Sequence, residues 1–156
     1  MTFEVRNLFV APGHAYFGRY GQAPDDHPLV EVDALECVAG RGIQGDRFFD
    51  FKVDYKGQIT FFDHAVLRGL VDALGLVDAP VSATRRNVLT DGVDLNAWIG
   101  AEFTIQGVRF FGVEECRPCG WMNEAFGHGG AEAWLKGRGG LRARILSDGV
   151  IRRGAA

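Results

Sequence analysis

The chain has 156 residues, is 47% hydrophobic and 24% charged, and carries 17 basic and 20 acidic side chains for a net charge of −3. That size fits one domain, residues 1–156, with a substantial buried core. The charge balance excludes a nucleic-acid binder that works by bulk positive charge, and no apolar run approaches the roughly 20 residues of a membrane helix. The amino terminus lacks the charged start and long apolar stretch of a signal peptide. Three cysteines, an odd number, argue against a disulfide framework, so a cytoplasmic protein with free thiols is expected. Twelve phenylalanines point to an aromatic, sheet-rich core.

In chain order, residues 2–10 alternate and form a first strand, and 18–28 (GRYGQAPDDHP) reads as a loop. Leu29 to Val38 reads as one strand with Val30, Val32 and Ala34 on one face. The segment 39–47 (AGRGIQGDR) is too glycine-rich for a regular element. Gln58–Phe62 is a strand; Asp63 caps the helix after it, which carries Leu67, Leu70, Val71 and Leu74 and stops at Gly75. Asn87–Thr90 is a short strand, Asp91-Gly92 a turn, and Asp94 caps a short helix with Leu95, Trp98 and Ile99, ended by Gly100. Two hairpins are expected: Phe103 and Ile105 return as Val108 and Phe110 around Gln106-Gly107, and Leu141, Ala143 and Ile145 return as Val150-Ile151 around Asp148-Gly149. Between them, 121–136 reads as two short helices broken by GHGG.

Four stretches carry candidate chemistry. Cys116 and Cys119, in ECRPCG, could be half of a zinc site, a dithiol, or one reactive thiolate with a neighbour. Zinc would need both His128 and the distant Cys37 to complete four ligands, while the bland reading is two buried small hydrophobes. Pro118 biases Arg117 toward extended backbone, so a thiol here can point into a cleft, and facing arginines would favour its thiolate. Arg85 and Asn87, two apart at the head of a strand, would share a face and grip a phosphate or a pterin edge, with Arg86 opposite. Arg41 to Arg47 would offer an anion nest of backbone amides or a tight loop with an Asp46–Arg47 contact. Lys136, Arg138 and Arg142 are interleaved with Gly137, Gly139 and Gly140, which would hold an anion or form a surface turn. His64 follows the Asp63 cap, where the helix end disfavours its charge. His14, His27 and His128 make no ligand spacing.

Taken together, GIQGDR (42–47), TRRNVLTDGVDLNAWIGAEFTIQG (84–107), ECRPC (115–119) and GRGGLRARILSDGVIRRG (137–154) resemble a MOSC domain, the family named after the carboxy-terminal part of molybdenum-cofactor sulfurase. The resemblance implies a mainly β, barrel-like domain with a few short helices. It implies a pocket for molybdenum cofactor (molybdopterin), or for sulfur destined to it. In members that reduce N-hydroxylated compounds, one cysteine gives its thiolate to molybdenum; the matching position is Cys119. Arg85 and Asn87 match the pair that grips the cofactor, Arg138 or Arg142 would help hold its phosphate, and Asp46, Arg47 and His64 would line the pocket. Cys116 matches no ligand position, and Phe48 stands where members often carry a histidine.

The implied activity is a two-electron reduction of a small substrate, with a separate electron-donor protein because no flavin, haem or iron–sulfur module is present. The first alternative is a sulfur carrier with a persulfide on Cys119, served by a sulfur-donor protein. The second is a non-catalytic ligand-binding module. Pyridoxal phosphate is not expected, since the lyase part of the sulfurase is missing from these residues.

Overall fold

The computed structural model describes residues 2–12, 29–77 and 79–156; the expected loop at 18–28, His14 and His27 lie outside them. Strand β1 (Glu4–Val10) carries a bulge between Val5 and Asn7. The extra residue flips the alternation, so that Val5 and Leu8, at odd spacing, both reach the core. The stretch 29–38 is two strands rather than one. β2 (Val30–Glu31) pairs with β1, and β3 (Ala34–Val38) joins a different sheet. The expected inward face is also reversed: Leu35 and Cys37 are buried, whereas Val30 is 46% exposed. The break at Val32–Asp33 resets the phase of the pleat, and a one-residue slip exchanges the faces.

Beyond β4 (Gly42–Ile43), strand β5 (Ile59–Asp63) is buried along its whole length. Asp63 ends it and caps helix α1 (His64–Leu74) by accepting from the Ala65 amide, and Gly75 closes the helix in the left-handed region. Asp63 also accepts from Thr90 Oγ1 and from the Val93 amide, so the cap fastens three segments. A 3₁₀ turn (Val81–Thr84) then leads into β6 (Val88–Asp91), which runs parallel to β5. The Asp94-capped element is a 3₁₀ turn, Leu95–Trp98. β7 (Glu102–Ile105) and β8 (Val108–Glu115) form the expected hairpin, with Gln106 and Gly107 both at positive φ as a tight primed turn requires. Helices α2 (Trp121–Phe126) and α3 (Ala131–Leu135) follow.

The second expected hairpin is not formed. β9 (Leu141–Ile145) pairs with β5 and β8, whereas β10 (Gly149–Arg152) pairs with β3. Asp148 accepts from the Ala39 amide, and this tether sends the chain away from β9 into the other sheet. With β11 (Gly154–Ala155) on β1, the main sheet runs β11-β1-β6-β5-β9-β8-β7 with β2 on β1, beside a three-stranded sheet β10-β3-β4. The protein is mainly β with a few short helices. Among the described residues the main sheet has free ends at β11 and β7, so the expected barrel closure is not seen.

The phenylalanine-rich core is as expected. Trp98 stacks on Phe103 at 4.1 Å, and Phe103, Phe110 and Phe61 continue the ladder at 5.4–5.7 Å. Such pairs prefer these offset and edge-on arrangements.

Candidate functional site

β8 and β9 run antiparallel with Glu114 opposite Arg142 and Glu115 opposite Leu141. Alternation puts Glu114 and Cys116 on the same side of the chain. The Arg142 guanidinium therefore meets both: it lies 3.5 Å from Glu114 and faces the Cys116 thiol. Burial works against the charge of Arg142, but Cys116, Tyr55 and Glu114 outweigh it and hold its pKa above the ordinary arginine value. Glu114 also pairs with Lys56 at 2.6 Å.

A second arginine, in the glycine-rich turn after β4, lies within electrostatic range of the same thiol. Arg47 is largely buried, and burial pushes its pKa down. Asp46 and Cys116 pull it back up, whereas Arg85 and Arg86 lower it further. Arg47 donates to the Arg85 carbonyl at 3.4 Å and stands 3.9 Å from Asp46 Oδ1, and its Nη1 is buried without a hydrogen-bond partner. Asp46 is the hub of this corner. Its carboxylate accepts from the amides of Ala11 (2.9 Å) and Phe48 (3.3 Å) and from Asn87 Nδ2 (3.2 Å). Of the two readings of this stretch, the tight loop with an Asp46–Arg47 contact is the one seen: the amides of Gln44, Asp46 and Arg47 donate to the carbonyls of Glu36, Ile43 and Ala11 rather than standing free as a nest.

Arg85 and Asn87 do not share a strand face. β6 begins at Val88, and Arg85 sits before it in the left-handed region, as the cap of the 3₁₀ turn. Asn87 points into the protein. Its Oδ1 accepts from the amide and hydroxyl of Thr60, and its Nδ2 donates to the Phe9 carbonyl and to Asp46. With both donors and both lone pairs engaged, Asn87 positions Asp46 rather than offering a free edge. Arg86, which the strand argument turned away, is the buried cation of the cluster. Only 6% exposed, it donates to the carbonyls of Thr84 (2.8 Å), Gly139 (2.9 Å) and Cys116 (3.2 Å). It ties the head of β6 to the cysteine segment and to the turn before β9 without a carboxylate among those partners.

That turn approaches so closely that it must be glycine. A Cβ on Gly139 would overlap the Cys116 carbonyl oxygen, and one on Gly140 would overlap the Phe61 carbonyl oxygen. The Cys116 amide donates to the Gly140 carbonyl at 2.8 Å.

Cys116 is buried and Cys119 is half-buried, one residue before Gly120, the cap of α2. The cysteine with demonstrable arginine neighbours is thus Cys116, the one without a family match. Its signal lay in the β8 alternation carried two residues further, together with the β8–β9 register, which only the fold supplies. Cys37 is remote in character: buried in β3, its thiol is pushed up to about 12 by burial. No group of three or more His, Cys, Asp and Glu side chains gathers at a metal-binding spacing among the described residues.

The other candidates go elsewhere. Lys136 and Arg138 are exposed. Arg138 lies over the Trp134 ring at 4.2 Å and borders a cavity of about 400 Å³ lined by Asp63, Val66, Val93, Asn96 and Gly140, so it does not join Arg142 in one anion site. His64 Nε2 is 2.7 Å from Asn7 Oδ1, and its charge neighbours are Arg6, Asp91, Arg68 and Asp63. It belongs to a separate polar corner.

Comparison with known proteins agrees with this architecture. The chain superposes on YuaD from Bacillus subtilis with a TM-score of 0.74 at 16% identity, covering 99% of this chain and 93% of that one. For YiiM from Geobacillus stearothermophilus the TM-score is 0.69 at 13% identity, covering 98% and 72%. For YiiM from Escherichia coli it is 0.62 at 17% identity, covering 91% of this chain and 65% of that one. At these identities the likeness is one of fold. No curated protein matches the sequence. No described helix is long and apolar enough to cross a membrane. The family model for the MOSC domain matches residues 50–156, which span β5 through β11 and hold Arg85, Arg86, Cys116, Cys119 and Arg142; the chain belongs to the MOSC domain family.

Proposed function

We propose that the protein binds molybdenum cofactor and acts as a small oxidoreductase on N-hydroxylated or similar small substrates, with Cys119 as the thiolate ligand. The observation that carries this reading is the cluster of Arg47, Arg86 and Arg142 around the segment that bears both cysteines. The donor set fits the group. Thiolate sulfur is a soft ligand suited to a redox-active metal, and arginine forks suit a phosphate. The buried Nη1 of Arg47, without a hydrogen-bond partner, is a donor left over for such an anion. Arg47 and Arg142 would hold the anionic end, with Arg85 beside them, while Asn87 acts through Asp46. When bound, the cofactor would supply two-electron redox chemistry, and the electrons would come from a separate donor protein. The chain's own part would be to present the Cys119 sulfur, to keep cations around the neighbouring Cys116, and to fix the Cys116–Cys119 segment through Arg86.

The test is to express the protein in a host that makes the cofactor and to measure bound molybdenum and pterin. Wild type should carry both and reduce an amidoxime with an artificial electron donor, and Cys119→Ser should lose the metal. Wild type without molybdenum or pterin overturns the reading.

The arginine neighbours of Cys116 favour one second reading, a sulfur carrier. The Cys119 thiolate would attack the outer sulfur of a donor persulfide, forming its own persulfide and releasing the donor thiolate. The Cys116 thiolate could then attack the inner sulfur, forming a Cys116–Cys119 disulfide and expelling hydrosulfide to an acceptor; a dithiol reductant would restore both thiols. Mass spectrometry after incubation with a persulfide donor should find one added sulfur on Cys119, and labelling elsewhere ends this reading.

A further inference from the structure

We propose that the rings of Phe48, Phe51 and Tyr55, in the loop 47–57, are the substrate-selecting wall of the site and favour small molecules with a flat ring at one end and an electron-rich polar group at the other. This rests on the reading of the thiol and arginine cluster as the reactive site, and it names the substrate class.

Three rings of the loop pack on one another: Phe48 on Phe51 at 5.3 Å, Phe48 on Tyr55 at 5.1 Å, and Phe51 on Tyr55 at 4.9 Å. A cluster of this kind usually lies in a core, yet Phe51 is 43% exposed. The loop adjoins the arginine cluster. Arg47 lies over the Phe48 ring at 4.7 Å, and Tyr55 is within electrostatic reach of Arg142. The aromatic surface is therefore continuous with the cationic one.

The loop is also held in a defined shape. Asp50 and Asp54 both take positive φ, a conformation that costs a non-glycine residue free energy. Each is fastened: Asp50 by a two-point pair with Arg41 at 2.8 and 2.5 Å, and Asp54 by Arg144 at 3.1 Å. Lys56 is tied to Glu114, the same carboxylate that meets Arg142. A strained loop pinned at three points beside the arginine cluster is a preorganised recognition surface. Rings would be held by stacking and the polar end by the guanidinium groups.

The test uses the cofactor-loaded protein with benzamidoxime and acetamidoxime, which share the polar group and differ in the ring. Variants are Phe51→Leu and Tyr55→Leu, with Val53→Ala as the control on the fully exposed loop tip. Binding is read by saturation-transfer NMR and turnover by steady-state kinetics, and thermal unfolding checks each variant's fold. Wild type should bind benzamidoxime more tightly. The ring variants should lose about two- to tenfold of that preference, mainly in KM, while acetamidoxime and the control stay unchanged. Equal binding of the two ligands by wild type, or an unchanged preference in both folded ring variants, overturns the proposal. Ring-selective binding that the variants abolish, without turnover, upholds the wall and overturns the oxidoreductase reading instead.

Discussion

The Arg142 guanidinium faces the Cys116 thiol, two residues beyond its cross-strand partner Glu114. Cys116 is buried, and Cys119 is the more accessible sulfur. The three thiols should therefore separate in native alkylation followed by mass spectrometry. Cys119 should react first. Cys37 should react last, because burial holds its thiol near 12 and keeps it protonated. Arg142→Met should change the reactivity of Cys116 alone, because Arg142 faces that sulfur; an equal change at Cys119 would mean that Arg142 serves both.

Arg86 satisfies three carbonyls from three separate segments. Arg86→Met keeps the bulk but strands those acceptors. The expected cost is about 3 kcal/mol, roughly 1 for each carbonyl, which lowers Tm by about 6–12 °C at this chain length. Arg86→Lys should recover part of the loss, since one ammonium cannot reproduce the fork. Differential scanning calorimetry of the two variants checks both magnitudes.

Gly139→Ala should both destabilise the fold and displace the cysteine segment, because its methyl would overlap the Cys116 carbonyl and press on Pro118. A cost of about 1–3 kcal/mol is expected for such overpacking. The changed reactivity of Cys116 and Cys119 toward a thiol reagent is the local readout. Gly137→Ala meets no neighbouring atom, though its φ of +79° adds backbone strain, and it should leave thiol reactivity unchanged.

Asp46→Ala removes the acceptor for the Ala11 and Phe48 amides and for Asn87, and leaves Arg47 without its nearest counter-charge. Breaking one partner of a buried ionic network costs about 3–5 kcal/mol. Asp46→Asn keeps the shape and should fall between wild type and Asp46→Ala in chemical denaturation.

His64 supplies a pH dependence. Burial first, and then Arg6 and Arg68, hold its pKa below the usual histidine value, while Asp91 and Asp63 oppose the shift. The folded state thus binds this proton less readily than the unfolded chain. Its contribution is present above the unfolded value, about 6.5, and is lost as pH falls through the depressed folded value. His64→Gln should flatten the decline in stability between about pH 7 and 5, measured by urea titration at each pH. An unchanged slope would show that other groups set the decline.

Local chemistry made much of the fold readable. Asp63, Gly75, Asp94 and Gln106-Gly107 act within a few residues of themselves, so their caps and turns follow from residue type. The choice of strand partner does not. β10 leaves β9 for β3 because of an Asp148–Ala39 tether that spans most of the chain. The site was legible in its parts but not in its pairing. Arg47, Arg142 and the cysteine segment were all visible, yet Cys116 acquires its meaning only from the β8–β9 register. Arg85 and Asn87 looked like a strand pair because nothing local announces that the strand begins one residue later. The ring cluster of Phe48, Phe51 and Tyr55 has no local signature, since only three dimensions bring its rings together beside Arg47.

The Gly139–Gly140 turn has a consequence for the order of assembly. It wedges against Cys116 and Phe61 and carries Arg142 into place, while Arg47 waits far upstream. During synthesis the cationic corner therefore cannot exist until β9 has emerged from the ribosome. An anion bound at this corner could enter only after that point.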